Sequence, residues 1–188
     1  MNDLVLLAAL LREPAYGYAL KKTAGLIFGG AAMHNNIIYP LLKKFMRNGW
    51  VMQTSVQGDR GQERKQYRIT AAGRKYLLEK LAVFGDREAS DEGVFLFRVA
   101  LFDVLPKAKR GAIVAARKSF LTSRAAQLSE LRKTMQPKSF GAVALDRAEA
   151  LVEGELRWIR QLERDLEINK GDSRCKQILT RRAIAIRS

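Results

Sequence analysis

The chain has little of the chemistry that metal sites and disulfides need. Its 188 residues include one cysteine, Cys175, and one histidine, His34. A single cysteine cannot form an intrachain disulfide. One histidine and one cysteine also cannot supply the usual ligand set of zinc. We therefore predict no metal site and no other bound cofactor.

Familiar catalytic motifs are missing as well. The sequence contains neither a Gly-x-Gly-x-x-Gly pattern nor a P-loop. The spacing around His34 suggests no serine or cysteine nucleophile as its partner. Carboxylates such as Glu153 and Glu155 resemble the solvated charges of a helix. These absences predict a protein that is not an enzyme.

Long hydrophobic runs are also missing. The apolar N-terminal stretch "MNDLVLLAALLRE" is too short to cross a bilayer. It has neither the basic start nor the small-residue cleavage site of a secretory signal. We therefore expect a soluble, cytoplasmic protein without a membrane partner.

Positive charge is abundant, with a formal net charge of +15. Residues 1–84 contain thirteen Lys and Arg against five Asp and Glu, and residues 169–188 contain six against one. Residues 85–168 are nearly balanced, with fifteen against thirteen. A basic excess favours a polyanionic partner. The uneven distribution suggests a polyanion-binding module followed by a module with another task, although a basic protein without such a partner is the alternative.

The first 84 residues alternate between helical and extended patterns. We predict helices over residues 2–12 and from about Tyr16 to Phe28, a third helix within "MHNNIIYPLLKKF" that ends near Gly49, strands over 50–56 and 64–70 joined by a Gly-rich loop, and a helix from Thr70 or Ala71. Three helices, a two-stranded ribbon and a linking helix make up the winged helix-turn-helix plan.

Pro40 lies inside the pattern of the third helix. It lacks the amide hydrogen that a helix interior requires. A cap near Asn35 or Asn36 would place Pro40 at about the end of the first turn, where the missing hydrogen costs little. We therefore expect one helix that begins just before the proline.

The rest of the chain is predicted to be helical. Residues 85–93 are polar and are expected to be a linker, and residues 94–168 are expected to form helices that dimerise or bind an effector. The basic tail, 169–188, is predicted to be either disordered or an additional DNA-contacting arm. The predicted fold class is mainly α, with an N-terminal winged-helix domain over 1–84 and a C-terminal helical dimerisation domain.

Three motifs resemble the PadR family of bacterial transcriptional regulators. They are Gly17-Tyr18 after the first helix, "IIYPLL" in the third helix and "RKQYRITAAG" in the second strand and the following turn. The resemblance covers residues 4 to about 84 well. It implies a DNA-binding regulator whose family members respond to small molecules. His34, Asn35 and Asn36 depart from the usual start of the recognition helix, which affects the operator sequence more than the fold.

A basic and polar surface is the candidate DNA site. Side chains three or four residues apart on the third helix share one face and can reach base edges or phosphates. The alternation of the second strand is expected to turn Lys65 inward, and an ordinary solvated face remains the alternative. The predicted DNA-binding residues are Asn35, Asn36, Tyr39, Lys43 and Arg47 of the third helix, Arg60, Arg64 and Lys65 of the hairpin, and Lys21 and Lys22 of the second helix.

A long apolar stripe is the candidate dimer contact, because one copy offers little to cover it. The alternative is packing on residues 107–135. An aromatic cluster is the speculative effector site, with plain core as the favoured alternative. The stripe comprises Leu145, Val152, Leu156, Ile159, Leu162 and Leu166, and the cluster comprises Phe95, Phe97, Phe102 and Trp158.

The functional prediction combines these features. We expect a dimeric, sequence-specific repressor that binds a palindromic operator in double-stranded DNA and that a small aromatic effector releases. The alternative is a winged-helix adaptor for protein interactions that has lost DNA binding. The basic N-terminal region argues against the adaptor.

Overall fold

The computed structural model describes residues 1–20, 35–57 and 62–168. The chain divides after Val83 into two compact units, Met1–Val83 and Phe84–Ser188. In the N-terminal unit the elements are α1 (Asn2–Ala9), β1 (Ala15–Tyr16), α2 (described over 17–20), α3 (Asn35–Arg47), β2 (Val51–Gln57), β3 (Glu63–Ile69) and α4 (Ala71–Ala82).

Apolar residues at helical spacing build the core of the N-terminal unit. Val5, Leu6, Leu7 and Leu10 are buried on and just after α1, and Leu77 and Leu81 are buried on α4. These two helices pack on each other. From α3, Ile38, Leu42 and Phe45 are each at most 1% exposed. Burial of one stripe on each helix leaves the opposite face of α3 in solvent.

The sheet has three antiparallel strands in the order β1-β3-β2, not the predicted two. β1 pairs with β3 through Ala15 opposite Tyr67 and Tyr16 opposite Gln66. Helical residues begin at 17, within one residue of the predicted start at about Tyr16, but Tyr16 itself is extended. Two residues are too few to give an alternating pattern, and only pairing with β3 makes them a strand.

Pro40 lies deeper in its helix than predicted. It is the sixth residue of α3, which already includes Asn35. The segment is one helix, as expected, but its first turn ends before the proline. Because the proline has no amide hydrogen, the carbonyl of Asn36 receives no intrahelical hydrogen bond from it.

The end of β3 is fixed to the start of β2 by Thr70 and Gly73. The Thr70 hydroxyl donates to the carbonyl of Gly49 at 2.6 Å and accepts from the amide of Gly73 at 3.0 Å. The Thr70 amide also donates to the carbonyl of Trp50 at 3.0 Å. A methyl group on Gly73 would overlap that same carbonyl oxygen. Thr70 is thus the N-cap of α4, which begins at Ala71, one of the two predicted starts, and the glycine is required for close approach.

The C-terminal unit is helical. Its elements are α5 (Asp86–Ser90), α6 (Glu92–Val99), a 3₁₀ turn (Phe102–Val104), α7 (Lys107–Thr134) and α8 (Phe140–Ile168). The expected linker, 85–93, contains all of α5 and the start of α6, so it is not an irregular connection. Ala89 is buried, and the carbonyl of Ala89 accepts from Arg117 Nη1 at 2.6 Å, which explains why α5 packs on α7.

α7 and α8 pack side by side and are tied by ion pairs. Arg117 is 3% exposed and makes a two-pronged contact with Glu155, with both N–O distances 2.7 Å. Arg132 of α7 reaches Asp146 and Glu149 of α8 near the turn between the helices. Lys118, in the first half of α7, pairs with Glu163 near the end of α8, whereas Arg132, near the end of α7, pairs near the start of α8. The two helices are therefore antiparallel.

Part of the predicted dimer stripe is buried by packing within a single chain. Leu145 and Ile159 are 3% and 0% exposed without a second copy, so these two assignments were wrong. The cause is α7, which covers this face of α8 along its length. Val152, Leu156, Leu162 and Leu166 are half-buried.

Three of the four predicted effector residues belong to the core. Phe95, Phe97 and Phe102 are each at most 6% exposed, which is the core alternative. Trp158 is 38% exposed and contacts the ring of Phe95 edge-on, with 5.8 Å between centroids. In the described parts of the chain, no helix has the length and apolar character needed to cross a membrane.

Candidate nucleic-acid interface

The outward face of α3 carries polar and basic side chains. Asn36, Tyr39, Lys43 and Arg47 are all exposed, and they line one shallow depression together with Pro40 and Met46. Their spacing by three or four residues puts them on one side of the helix. The buried stripe on the other side holds that face in a fixed orientation. The predicted face of α3 is therefore present as a surface, and its role in binding stays a prediction.

Arg64 and Lys65 lie on β3 near the far end of the β2–β3 hairpin. They pair with Val56 and Ser55 of β2, and both side chains are exposed. The expectation that Lys65 turns inward was wrong. Strand alternation buries a side chain only where something covers that face, and β1 pairs with β3 no further along than Gln66.

A groove of about 510 Å³ brings the helix and the hairpin together. Its lining includes Tyr39 of α3, Arg64 and Lys65 of β3, and Tyr18 of α2. Gly17 forms the wall behind Tyr39, since a methyl group there would lie 3.2 Å from the Tyr39 hydroxyl oxygen. Polar groups from three elements thus face one concave surface with two cations at its edge. We call this surface the tyrosine groove.

Tyr67 forms the buried side of the tyrosine groove. It is 4% exposed, and burial raises the pKa of its hydroxyl above the ordinary value, with a further rise from the neighbouring Tyr39. Tyr67 is therefore uncharged at neutral pH. Its hydroxyl therefore adds no negative charge beside Arg64 and Lys65.

Tyr18 is a further candidate, which was not among the residues predicted from the sequence. Its side chain is 79% exposed and lines the tyrosine groove. The sequence contained a signal for Tyr18, since Gly17-Tyr18 is one of the motifs that resemble the family. Arg68, also exposed on β3, is a further basic side chain of the hairpin.

Several predicted site residues lie outside the described residues. They are Lys21, Lys22, Arg60 and, for its side chain, Asn35. The basic tail, 169–188, lies outside them too. Among the residues that are described, no group of His, Cys, Asp and Glu is arranged to hold a metal ion.

The comparison with known families agrees with this geometry. Residues 6–79 match the PadR-like family of transcriptional regulators, and the match runs from the middle of α1 to within α4. Residues 6–79 form a PadR-like domain. The resemblance predicted from the sequence is confirmed for this part of the chain. The family is one of transcriptional regulators rather than enzymes.

Solved structures give similar matches. A transcriptional regulator of Thermoplasma acidophilum is 35% identical, over 41% of this chain and 73% of that one, with a TM-score of 0.39. Bacillus subtilis PadR in complex with operator DNA is 18% identical, over 88% and 98%, with a TM-score of 0.40. A PadR-like transcription factor of Bacteroides fragilis is 24% identical, over 44% and 78%, with a TM-score of 0.40. No curated protein gives a significant match.

Proposed function

We propose that this PadR-like protein binds double-stranded DNA through α3 and the β2–β3 hairpin, and regulates transcription in the bacterial cytoplasm. One observation carries the proposal: Lys43 and Arg47 on α3 and Arg64 and Lys65 on β3 are exposed. None of the four forms an ion pair with a described residue. In a winged helix, α3 would enter the major groove with its N-terminal residues at base edges. The hairpin and the tyrosine groove would then take phosphates.

The test is a fluorescence-polarisation titration with DNA from upstream of the protein's own gene. Lys43→Glu combined with Arg64→Glu should abolish binding, because two phosphate contacts become repulsive. Lys109→Glu is the control, since it makes a charge change of the same kind at an exposed position of the C-terminal unit. If the double variant bound as tightly as wild type, the assignment of this surface would be wrong. The adaptor alternative would then be favoured.

We propose that the protein acts as a homodimer on a palindromic operator. The support is a second apolar stripe on α8, next to the face that α7 covers. Phe140, Val143, Leu151 and Trp158 are 95%, 62%, 53% and 38% exposed. Phe140, Leu151 and Trp158 fall at nearly the same angle around the helix. Exposed apolar side chains in a row are typical of a protein interface.

Light scattering after gel filtration tests the dimer. Leu151→Glu together with Trp158→Glu should convert a dimer of about twice the 21.2 kDa chain mass into a monomer. Val83→Glu is a control at an exposed apolar residue of the other unit. A wild-type monomer, or a double variant that stays dimeric, would contradict the proposal.

We propose repression relieved by a small aromatic effector as the regulatory outcome. The support is a cavity of about 670 Å³ in the C-terminal unit, lined by Leu96, Phe120, Leu151 and Trp158. A ligand can release the operator only if it binds the free protein more tightly than the DNA-bound one. A reporter under the upstream region should therefore be silent with the protein and active after addition of the effector. Activation of the reporter by the protein alone would contradict repression.

A further inference from the structure

A second cavity in the C-terminal unit has a different character. It measures about 590 Å³ and lies between the first turns of α7 and the last turns of α8. Ten described residues line it, of which five are basic and two, Glu163 and Glu167, are acidic. The basic residues are Lys107, Arg110, Lys118, Arg160 and Arg164. We call it the basic cavity.

The acidic residues of the basic cavity do not neutralise it. Lys118 Nζ pairs with Glu163 at 2.9 Å, which removes one charge of each sign. Arg110 uses its Nε to donate to the carbonyl of Leu105 at 2.8 Å, a neutral acceptor. Arg164 donates to the neutral amide of Gln161. A positive excess therefore remains, unlike at the other α7–α8 contacts, where carboxylates meet the guanidinium groups.

Arg160 is the side chain of the basic cavity that is most available to a ligand. Its side chain forms no hydrogen bond or ion pair with any residue that the structure describes. One turn earlier on the same helix, Arg157 pairs with Glu153 at 3.8 Å. The two arginines thus form a natural pair for comparison, one inside the cavity and one outside it.

Gly111 shapes the basic cavity. It lies in the second turn of α7, where glycine costs about 0.5–1 kcal/mol relative to alanine. Apart from its neighbours in the chain and the backbone of its own helix, no atom of a described residue lies within 4 Å of the place where its side chain would begin, so packing against the described residues does not require a glycine. The missing side chain leaves space beside the basic groups, with Val114 and Leu166 as apolar neighbours.

We propose that the basic cavity binds a small phosphate-bearing molecule, up to the size of a nucleotide. The positive excess and the guanidinium groups suit phosphate oxygens. The volume lies within the range of small-molecule sites. The apolar neighbours offer a surface for a base or another flat group. This site is independent of the proposed DNA contact, because it lies in the other unit and shares no residue with α3 or the hairpin.

Isothermal titration calorimetry of the full chain without DNA tests the proposal. The probes are pyrophosphate, AMP and ADP, with citrate as a carboxylate of similar charge. At least one phosphate probe should bind with a Kd below about 1 mM, and more tightly than citrate. Tighter binding of ADP than of pyrophosphate would identify a nucleotide, and the reverse an inorganic phosphate. Absence of phosphate binding, or stronger binding of citrate, would overturn the proposal.

Variants separate a defined site from general attraction to a basic protein. Arg160→Gln should weaken binding about tenfold, since it removes a charge-assisted contact. Arg157→Gln should change it less than twofold. Gly111→Leu should abolish binding while the helix content by circular dichroism stays the same, because leucine fills the space and favours the helix. Equal effects of the two arginine variants, or wild-type binding by folded Gly111→Leu, would overturn the proposal.

Discussion

The two units of the molecule use their charges in opposite ways. In the described part of residues 1–83, no Lys or Arg side chain forms an ion pair. In the helical unit, five basic side chains pair with carboxylates, including the buried Arg117. The difference shows that the net charge of a unit does not determine how many of its charged side chains form ion pairs. Three of these five side chains, Arg117, Lys118 and Arg132, join α7 to α8, whereas charge in the PadR-like unit is available to a partner.

Breaking the buried ion pair should have the largest effect. Arg117→Met leaves Glu155 and the carbonyl of Ala89 without a donor, so it should cost about 3–5 kcal/mol. Urea unfolding followed by Trp158 fluorescence in a Trp50→Phe background reports the helical unit. Lys133→Met, which removes an exposed pair with Glu130, should cost at most about 1 kcal/mol. Similar losses of unfolding free energy in the two variants would contradict the expected difference between buried and exposed ion pairs.

A glycine in each unit gives the next prediction. Gly73→Ala forces a methyl group against the carbonyl of Trp50 and should destabilise the PadR-like unit by about 1–3 kcal/mol. Gly111→Ala meets nothing within 4 Å and should stabilise the helical unit by about 0.5–1 kcal/mol. Thermal unfolding measures both. A loss of stability in Gly111→Ala, or none in Gly73→Ala, would contradict the roles assigned to these glycines.

The salt dependence of DNA binding tests the available charge. Lys43→Ala should lower affinity several-fold and reduce the slope of log K against log salt by about 1, because one phosphate contact is lost. Lys133→Ala, whose charge is already paired, should leave the slope unchanged. Polarisation titrations between 50 and 200 mM salt, as an approximate range, measure both slopes. Equal slopes for all three proteins would indicate that Lys43 is not at the DNA.

Alkaline pH should produce the smallest effect, confined to the PadR-like unit. Burial raises the pKa of Tyr67 above 10.0 in the folded protein. A raised pKa favours folding at every pH below the unfolded value, and this contribution is lost as pH rises through the folded value. Urea midpoints should therefore fall above pH 10, and less steeply in Tyr67→Phe. Tyr18→Phe, at a ring that is 79% exposed, should keep the wild-type pH profile.

Elements with a long periodic pattern could be predicted from the sequence. The apolar stripe of α3 and the strands of the hairpin were placed within about one residue, since their spacing reflects which face is buried. β1 could not be predicted, because its two residues depend on pairing with Tyr67 and Gln66. Two residues of the predicted dimer stripe, Leu145 and Ile159, were misassigned for a related reason. A sequence pattern shows that a face is apolar, but not whether α7 or a second copy covers it.

The candidate site was predicted in part. The side chains of α3 followed from helical spacing, but the tyrosine groove did not, since it joins α2, α3 and β3 across long sequence separations. Lys65 was misjudged because alternation assumes a covered strand face. The residue types predicted a basic, polar binding surface. Only the fold showed which of these side chains lie next to one another.

The short β1 has a consequence for how the protein behaves in a crowded solution. β1 pairs only with Tyr67 and Gln66. At Glu63–Lys65, the edge of β3 that faces away from β2 therefore has no strand partner among the described residues. Unpaired strand edges invite pairing with other chains, and charged side chains discourage it. Arg64 and Lys65 therefore also protect the hairpin from aggregation. Replacing them by apolar residues would remove a solubility safeguard even in the absence of DNA.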